Sequence, residues 1–97
     1  MATFEDLFGN RINLTKERWE HIALRHPEIK IMQNALPEVL KNPDIIVKSR
    51  HNEAVKLYHK KHKDYYIVVL ADISKKFIIT AYISYHIKKG EVEWKKN

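Results

Sequence analysis

The sequence predicts an α+β fold in which N-terminal helices pack on a four-stranded antiparallel β-sheet. Three observations predict it. Apolar residues at helical spacing are confined to residues 16–41, four strand-like segments fill residues 45–84, and the links between those segments are short. Helices followed by a run of strands is the α+β order. Short links favour antiparallel neighbours, because a parallel pair needs a long crossover. A chain of 97 residues suits one domain. Its parts are a helical region, 1–44, and a β-meander with a tail, 45–97.

Residues 1–11 read as polar and irregular, with a turn at Gly9-Asn10 and a short extended piece at Ile12-Asn13-Leu14. Thr15 is a good N-cap, with Glu17 in the first turn. A helix over 16–26 follows. Trp19, Ile22, Ala23 and His26 fall at i, i+3, i+4 and i+7, which is one helical face. Pro27 ends it, since the residue before proline avoids the α region. A second helical region covers 28–41, with Met32, Ala35, Leu36, Val39 and Leu40 on one face. Pro37 interrupts it, giving two short helices or one kinked helix.

The strands are expected at 45–50, 54–60, 65–72 and 77–84. The second alternates Val55, Leu57, His59 against Lys56, Tyr58, Lys60. The third is almost wholly apolar, as a central strand is. The fourth places Phe77, Ile79, Ala81 and Ile83 on one face and Ile78, Thr80, Tyr82 and Ser84 on the other. Lys88-Lys89-Gly90-Glu91 reads as a turn, and Val92 to Trp94 as a last strand or a packed tail.

Composition narrows the chemistry. There are no cysteines, so disulfides, zinc–thiolate sites and thiol nucleophiles are excluded. There is no glycine-rich phosphate loop and no cofactor motif. His59 and His62 sit at i, i+3 among lysines, a poor setting for a metal that needs a third ligand. No apolar run is long enough to cross a membrane. Met1 to Asp6 lack the basic and apolar regions of a signal peptide, which points to the cytoplasm.

The formal net charge is +6 and the pI about 9.6, which suits a polyanionic partner, nucleic acid first. Residues 1–44 are near neutral, and the excess lies in the C-terminal half, in His59-Lys60-Lys61-His62-Lys63, Lys88-Lys89 and Lys95-Lys96. A basic sheet face backed by a neutral helical layer is expected. Lys48, Arg50, Lys56, Tyr58, Lys60, Thr80 and Tyr82 can lie side by side in a meander. Metal-free RNA cleavage by 2′-OH attack needs a base, an acid and cations for the phosphorane charge. Histidine, arginine or lysine, and hydroxyls supply these, and arginine clamps phosphate best.

Ile12-Asn13-Leu14-Thr15, Arg18-Trp19, His21-Ile22, Arg25-His26-Pro27-Glu28, Asn42-Pro43-Asp44-Ile45-Ile46, Ser49-Arg50 and Phe77 to Tyr82 occur in that order over residues 12–88. In that order they resemble the phage- and mobile-element-associated nucleases of the barnase–EndoU–colicin–RelE superfamily. The resemblance implies helices on a four-stranded antiparallel sheet. It also implies a metal-independent endoribonuclease acting on RNA, tRNA or mRNA, as a toxin or in phage–host conflict, with an antitoxin or immunity protein as a further partner. His26 resembles the helical histidine of that group, Arg50 the first-strand cation, and Thr80 with Tyr82 the last-strand hydroxyl position. Lys48, Lys56, Tyr58 and Lys60 are the expected substrate-binding set.

Each residue also has a structural alternative. His26 suits a helix C-cap, Arg50 a solvated strand end, Thr80 simple β propensity, Tyr58 and Tyr82 cross-strand packing, and Lys56 and Lys60 edge charges. A non-catalytic nucleic-acid-binding module and a protein-interaction subunit of a phage or mobile-element system are the competing functions. Convergence of His26, Arg50 and Thr80 in one cleft would separate catalysis from binding.

Overall fold

In a computed structural model, which describes residues 2–97, the chain opens with a hairpin. Strand β1, Ala2–Glu5, pairs antiparallel with β2, Arg11–Leu14, Phe4 opposite Ile12. The reading of residues 1–11 as irregular is corrected here. Ala2 and Phe4 are half-buried while Thr3 and Glu5 are exposed, an alternation too short to stand out in the sequence. Asp6 organises the turn. Its Oδ1 accepts from the N–H groups of Phe8 (2.9 Å) and Asn10 (2.7 Å), and Gly9 turns the chain at φ +87°.

Helix α1, Lys16–Arg25, starts on Thr15, whose hydroxyl accepts from the Arg18 N–H at 3.1 Å. Ile22 is fully buried, and Trp19 packs on the core beside it. The next segment, Pro27–Ala35, is a 3-10 helix, and α2, Leu36–Lys41, follows. The apolar spacing explains the change. Ile29, Met32 and Ala35 recur every three residues, the period of a 3-10 helix. Leu36, Val39 and Leu40 return to i, i+3, i+4. Pro37 lies in the first turn of α2, where its missing N–H leaves no bond unmade.

Four strands then form an antiparallel meander: β3, Ile45–Lys48; β4, Val55–His62; β5, Tyr65–Asp72; and β6, Phe77–Ser84. These are the four predicted strands. Among the described residues the sheet nevertheless has seven, in the order β1-β2-β6-β5-β4-β3-β7, with β7 at Glu91–Lys95. A four-stranded sheet preceded only by helices is therefore corrected to a mixed α+β architecture whose helices sit between an N-terminal hairpin and the meander. β2 and β7 contain the short extended piece at 12–14 and the last strand at 92–94 read from the sequence, whereas β1 holds four residues, too few for a visible period. β2 joins β6 through a single parallel pairing, Asn13 with Phe77, and β7 runs antiparallel along β3.

A bulge alters one more expectation. The register between β5 and β6 shifts at Leu70/Ala71, so that Thr80 opposes Leu70 while Ile78 opposes Ala71. Ile79 is the inserted residue. Ile78 consequently joins Ala81 and Ile83 on the helix side and parts from Thr80 and Tyr82. The main core lies between the helices and the sheet, with Ile22, Ile29, Leu36 and Leu40 against Ile46, Tyr58, Val69 and Ile78. A smaller cluster, Ile45, Val47, Leu57 and Val68, occupies the other face beneath Tyr82 and Ile87. Among the described residues no helix is long and apolar enough to cross a membrane.

Candidate active site

The side-chain parity of β4 divides the predicted site residues between the two faces of the sheet. Tyr58 belongs to the helix-side core, so Lys56 and Lys60, two residues either way, point to that side too. Each has an internal partner. The Tyr58 hydroxyl donates to Asp6 Oδ2 at 2.6 Å, and burial, together with that carboxylate, raises its pKa far above the usual phenol range. Lys56 is ion-paired with Glu93 and nearly buried. Lys60 donates to the Asn42 carbonyl at 2.7 Å, and Lys48, opposite Lys56, lies 3.5 Å from Glu91.

Thr80 and Tyr82 face the other way. The expected side-by-side array of Lys48, Lys56, Tyr58 and Lys60 with Thr80 and Tyr82 is therefore not formed, because the sheet itself stands between the two sets. Arg50 is also apart. It is exposed beyond the end of β3, in a depression with Ser49, Glu53 and Gly90. Three strand spacings, roughly 14 Å, separate β3 from β6.

The structure does bring His26 to Tyr82. Their ring centroids are 5.5 Å apart, tilted by 35°. The approach follows from the local fold. α1 runs alongside β6 in the same direction, with Arg18 5.6 Å over the Phe77 ring at one end and His26 against Tyr82 at the other. β2 covers the β6 edge only at Phe77, so the rest of that edge is open to the histidine. The chain leaves the helix at His26, whose N–H closes the last turn on the Ile22 carbonyl at 2.8 Å. Its backbone is thus a C-cap while its imidazole is free to meet the strand. The side chain is about a third exposed, and its Nδ1 lies 3.7 Å from Glu28 Oε2. Burial pushes the Tyr82 hydroxyl pKa up, so the group stays protonated at neutral pH.

The cation beside this pair is Lys88, its Nζ 5.6 Å from the Tyr82 centroid. It comes from the segment between β6 and β7, and His59 anchors that segment. His59 is fully buried in the row Ile45, His59, Val68, Tyr82. Its Nδ1 donates to the Leu57 carbonyl at 3.1 Å, and its Nε2 accepts the Lys88 N–H at 3.1 Å. Burial first, and the Lys88 charge with it, depresses the imidazole pKa and favours the neutral ring. Sequence reasoning missed both residues. Their only signal was membership of basic clusters, and the cross-strand row that joins them depends on register. His62 lies on the opposite face from His59, against Tyr65 at 5.4 Å. Among the described residues no three metal-ligating side chains come together.

Exposed cations occur over much of the surface, Arg50, Lys75 and Lys76 among them, and one group shares an end of the sheet. It consists of Lys61 and Lys63 on the β4–β5 hairpin and Lys95 and Lys96 at the end of β7, with Lys88 on the adjoining face. Tyrosines interleave them. Lys61 Nζ is 4.9 Å over the Tyr66 ring, and Tyr85, 65% exposed, meets Tyr65 edge-on. Cations among aromatic rings at an open surface suit a single-stranded nucleic acid.

A search of curated proteins and a search of solved structures each gave no match. A family model described as phage-Barnase-EndoU-ColicinE5/D-RelE like nuclease2 matches residues 1–96. With all but the final residue inside that match, the chain belongs to this family of phage-associated nuclease-like proteins.

Proposed function

We propose that the chain is a metal-independent endoribonuclease that cuts RNA by attack of a 2′-hydroxyl on the adjacent phosphate. The observation that carries this reading is the meeting of His26, Tyr82 and Lys88, drawn from three separate segments onto one accessible edge. His26 takes the proton of the 2′-hydroxyl as its oxygen attacks phosphorus. The bond from phosphorus to the 5′ oxygen breaks, and Tyr82 supplies the proton that oxygen needs. The product keeps a 2′,3′-cyclic phosphate. The protonated imidazole beside Tyr82 then returns the proton. Lys88 offsets the charge on the phosphorane, the role first expected of Arg50. Thr80, two residues along the same face, positions the phosphate. Lys48, Lys56, Tyr58 and Lys60 hold the fold together in this reading and are assigned no contact with RNA.

A second reading has one observation behind it. With Arg50 three strands away, the His26–Tyr82 pair has a single lysine beside it, and the basic tyrosine-rich end could bind RNA without cutting it. Incubating the protein with total RNA in EDTA, beside His26→Ala, separates the two. The nuclease reading expects cyclic-phosphate ends, a loss of about 10²–10⁴-fold in rate in the variant and little loss of RNA affinity. RNA shifted on a gel but left intact would favour the binding module. Cleavage at the same rate in both proteins would remove His26 from the mechanism.

A further inference from the structure

We propose that His59 is a positioning residue of the candidate active site: its neutral ring holds the Lys88 main chain, and so the Lys88 ammonium beside Tyr82, and RNA cleavage is lost in mild acid when the ring takes up a proton. This rests on the endoribonuclease reading and adds how its cation is placed and regulated.

Residues 85–90 join β6 to β7 without belonging to either strand, and they cross the face of the sheet opposite the helices. A segment laid across strands cannot extend their ladders, so its N–H groups need other acceptors. Ser84 opens it. Its Oγ donates to the His86 carbonyl at 2.7 Å and accepts the His86 N–H at 3.2 Å. At the far end Gly90, at φ +156°, lies so close to Val47 and the Lys48 carbonyl that a side chain there has no room. Between these ends Ile87 packs on the cluster of Ile45, Val47, Leu57 and Val68, and the Lys88 N–H donates to His59 Nε2 at 3.1 Å. Among the described residues, that is the hydrogen bond that ties the middle of the segment to the sheet. It acts on the site directly, because the same residue carries the ammonium that lies 5.6 Å from the Tyr82 centroid. A segment that swings away from His59 takes the cation with it.

The chemistry of the tie needs an imidazole with one proton. Nδ1 donates to the Leu57 carbonyl at 3.1 Å, which leaves Nε2 of the neutral ring as an acceptor. An aliphatic residue between Ile45 and Val68 would pack there without the cost of burying a polar ring. An amide would accept at every pH. Only the imidazole loses its acceptor in mild acid, when a proton on Nε2 turns it into a donor facing the Lys88 N–H. The cations around the ring oppose that proton: Lys88 above it, Lys61 two residues along the same face of β4, and Lys95 of β7 beyond Ile45 in the same row. Tyr66 of β5 meets the ring edge-on at 6.1 Å, and Tyr82 of β6 lies beyond Val68, both as neutral phenols. Asp44, ahead of β3, has its Oδ2 taken by the Lys61 N–H at 2.6 Å. The tie is therefore closed at neutral pH and opens below the ordinary histidine range.

Two measurements test this. In NMR spectra of the unmodified protein, the Lys88 amide signal should shift, and its exchange with water should quicken, over the same pH interval in which the His59 ring titrates. In His59→Gln, whose side-chain carbonyl can accept the Lys88 N–H at every pH, that amide should hold its place. The second measurement is cleavage of saturating, labelled single-stranded RNA of mixed sequence in EDTA, at pH values where circular dichroism shows the protein folded. His59→Gln should cut at close to the unmodified rate at neutral pH and lose activity in acid with a shallower slope, by up to one proton. His59→Leu should slow cleavage as much as Lys88→Ala does, roughly 10²-fold, and should add nothing in the Lys88→Ala background. A purely structural role for His59 would slow both backgrounds alike. A Lys88 amide indifferent to the His59 titration, an acid limb unchanged by His59→Gln, or a His59→Leu loss that persists in full without the Lys88 side chain would each overturn the proposal. Cleavage with an unchanged acid limb rejects the role of His59 alone. No cleavage at any pH rejects the ribonuclease reading, and this role of His59 with it.

Discussion

The two faces of the sheet use the same residue types for opposite ends. On the helix side, Lys48, Lys56, Tyr58 and Lys60 are each matched to a carboxylate or a carbonyl of the protein itself. On the other side, Lys61 lies over the Tyr66 ring, and Lys88 and His26 both meet the Tyr82 ring. A cation satisfied by an acid is part of the scaffold. A cation resting on an aromatic face keeps its charge available to a phosphate. Residue type therefore says little about role in this protein, and strand parity says much more.

The largest effect that would sharpen the comparison is expected at Lys56. Lys56→Ala empties a buried position and leaves Glu93, which is partly exposed, without its partner, at a cost of about 2 kcal/mol, below the range for a fully buried pair. Urea unfolding should show that loss, and anisotropy with single-stranded RNA should show almost none in affinity measured where the variant is folded. A variant that lost RNA affinity and kept its stability would reverse the roles assigned to the two faces.

A smaller effect is expected from His59, which is buried on that face beneath the Ile87–Lys88 segment. Its folded pKa is depressed below the ordinary 6.5, so the unfolded chain takes up a proton before the folded protein does. The stability this residue contributes is complete above that ordinary value. It falls as pH drops through the interval down to the depressed folded pKa, by at most about 1.4 kcal/mol per pH unit. Protonation also places a donor on Nε2, where the Lys88 N–H already donates. His59→Gln, compared with the unmodified protein in urea titrations across that interval, should show the shallower pH slope. Equal slopes would mean that the other histidines carry the acid sensitivity.

Much of this was legible before any coordinates. Trp19, Ile22, Ala23 and His26 placed the first helix and brought the histidine to its end, because a helix with one apolar stripe can bury only that stripe. The meander was legible in its short links. The side of the sheet on which the helices pack was not. Lys56, Tyr58 and Lys60 look like a solvent face, and their internal pairing depends on Glu93, Asp6 and Asn42, which arrive from distant parts of the chain. A warning was present in Ile45-Ile46-Val47 and in Ile67 to Leu70, which are apolar on both faces, as strands covered on both sides are. The bulge at Ile79 was invisible, since one inserted residue leaves no mark on composition. The meeting of His26 with Tyr82 and Lys88 needed both the open β6 edge and the loop held by His59, and only register supplies those.

The smallest expected effect lies at Lys88. Lys88→Ala removes the side chain above Tyr82 and leaves the backbone N–H that His59 accepts, so stability should change by less than about 0.5 kcal/mol. If Lys88 neutralises one phosphate, RNA affinity should fall by a similar factor for every sequence. The slope of log affinity against log salt should also become shallower by about 0.7, the value for one contact to a single strand. Lys60→Ala, on the helix side, is the matched control, and its salt slope should stay that of the unmodified protein. The pair of slopes is the most direct reading of the two-face division, because it reports how many charges reach the phosphates without depending on whether the RNA is cut.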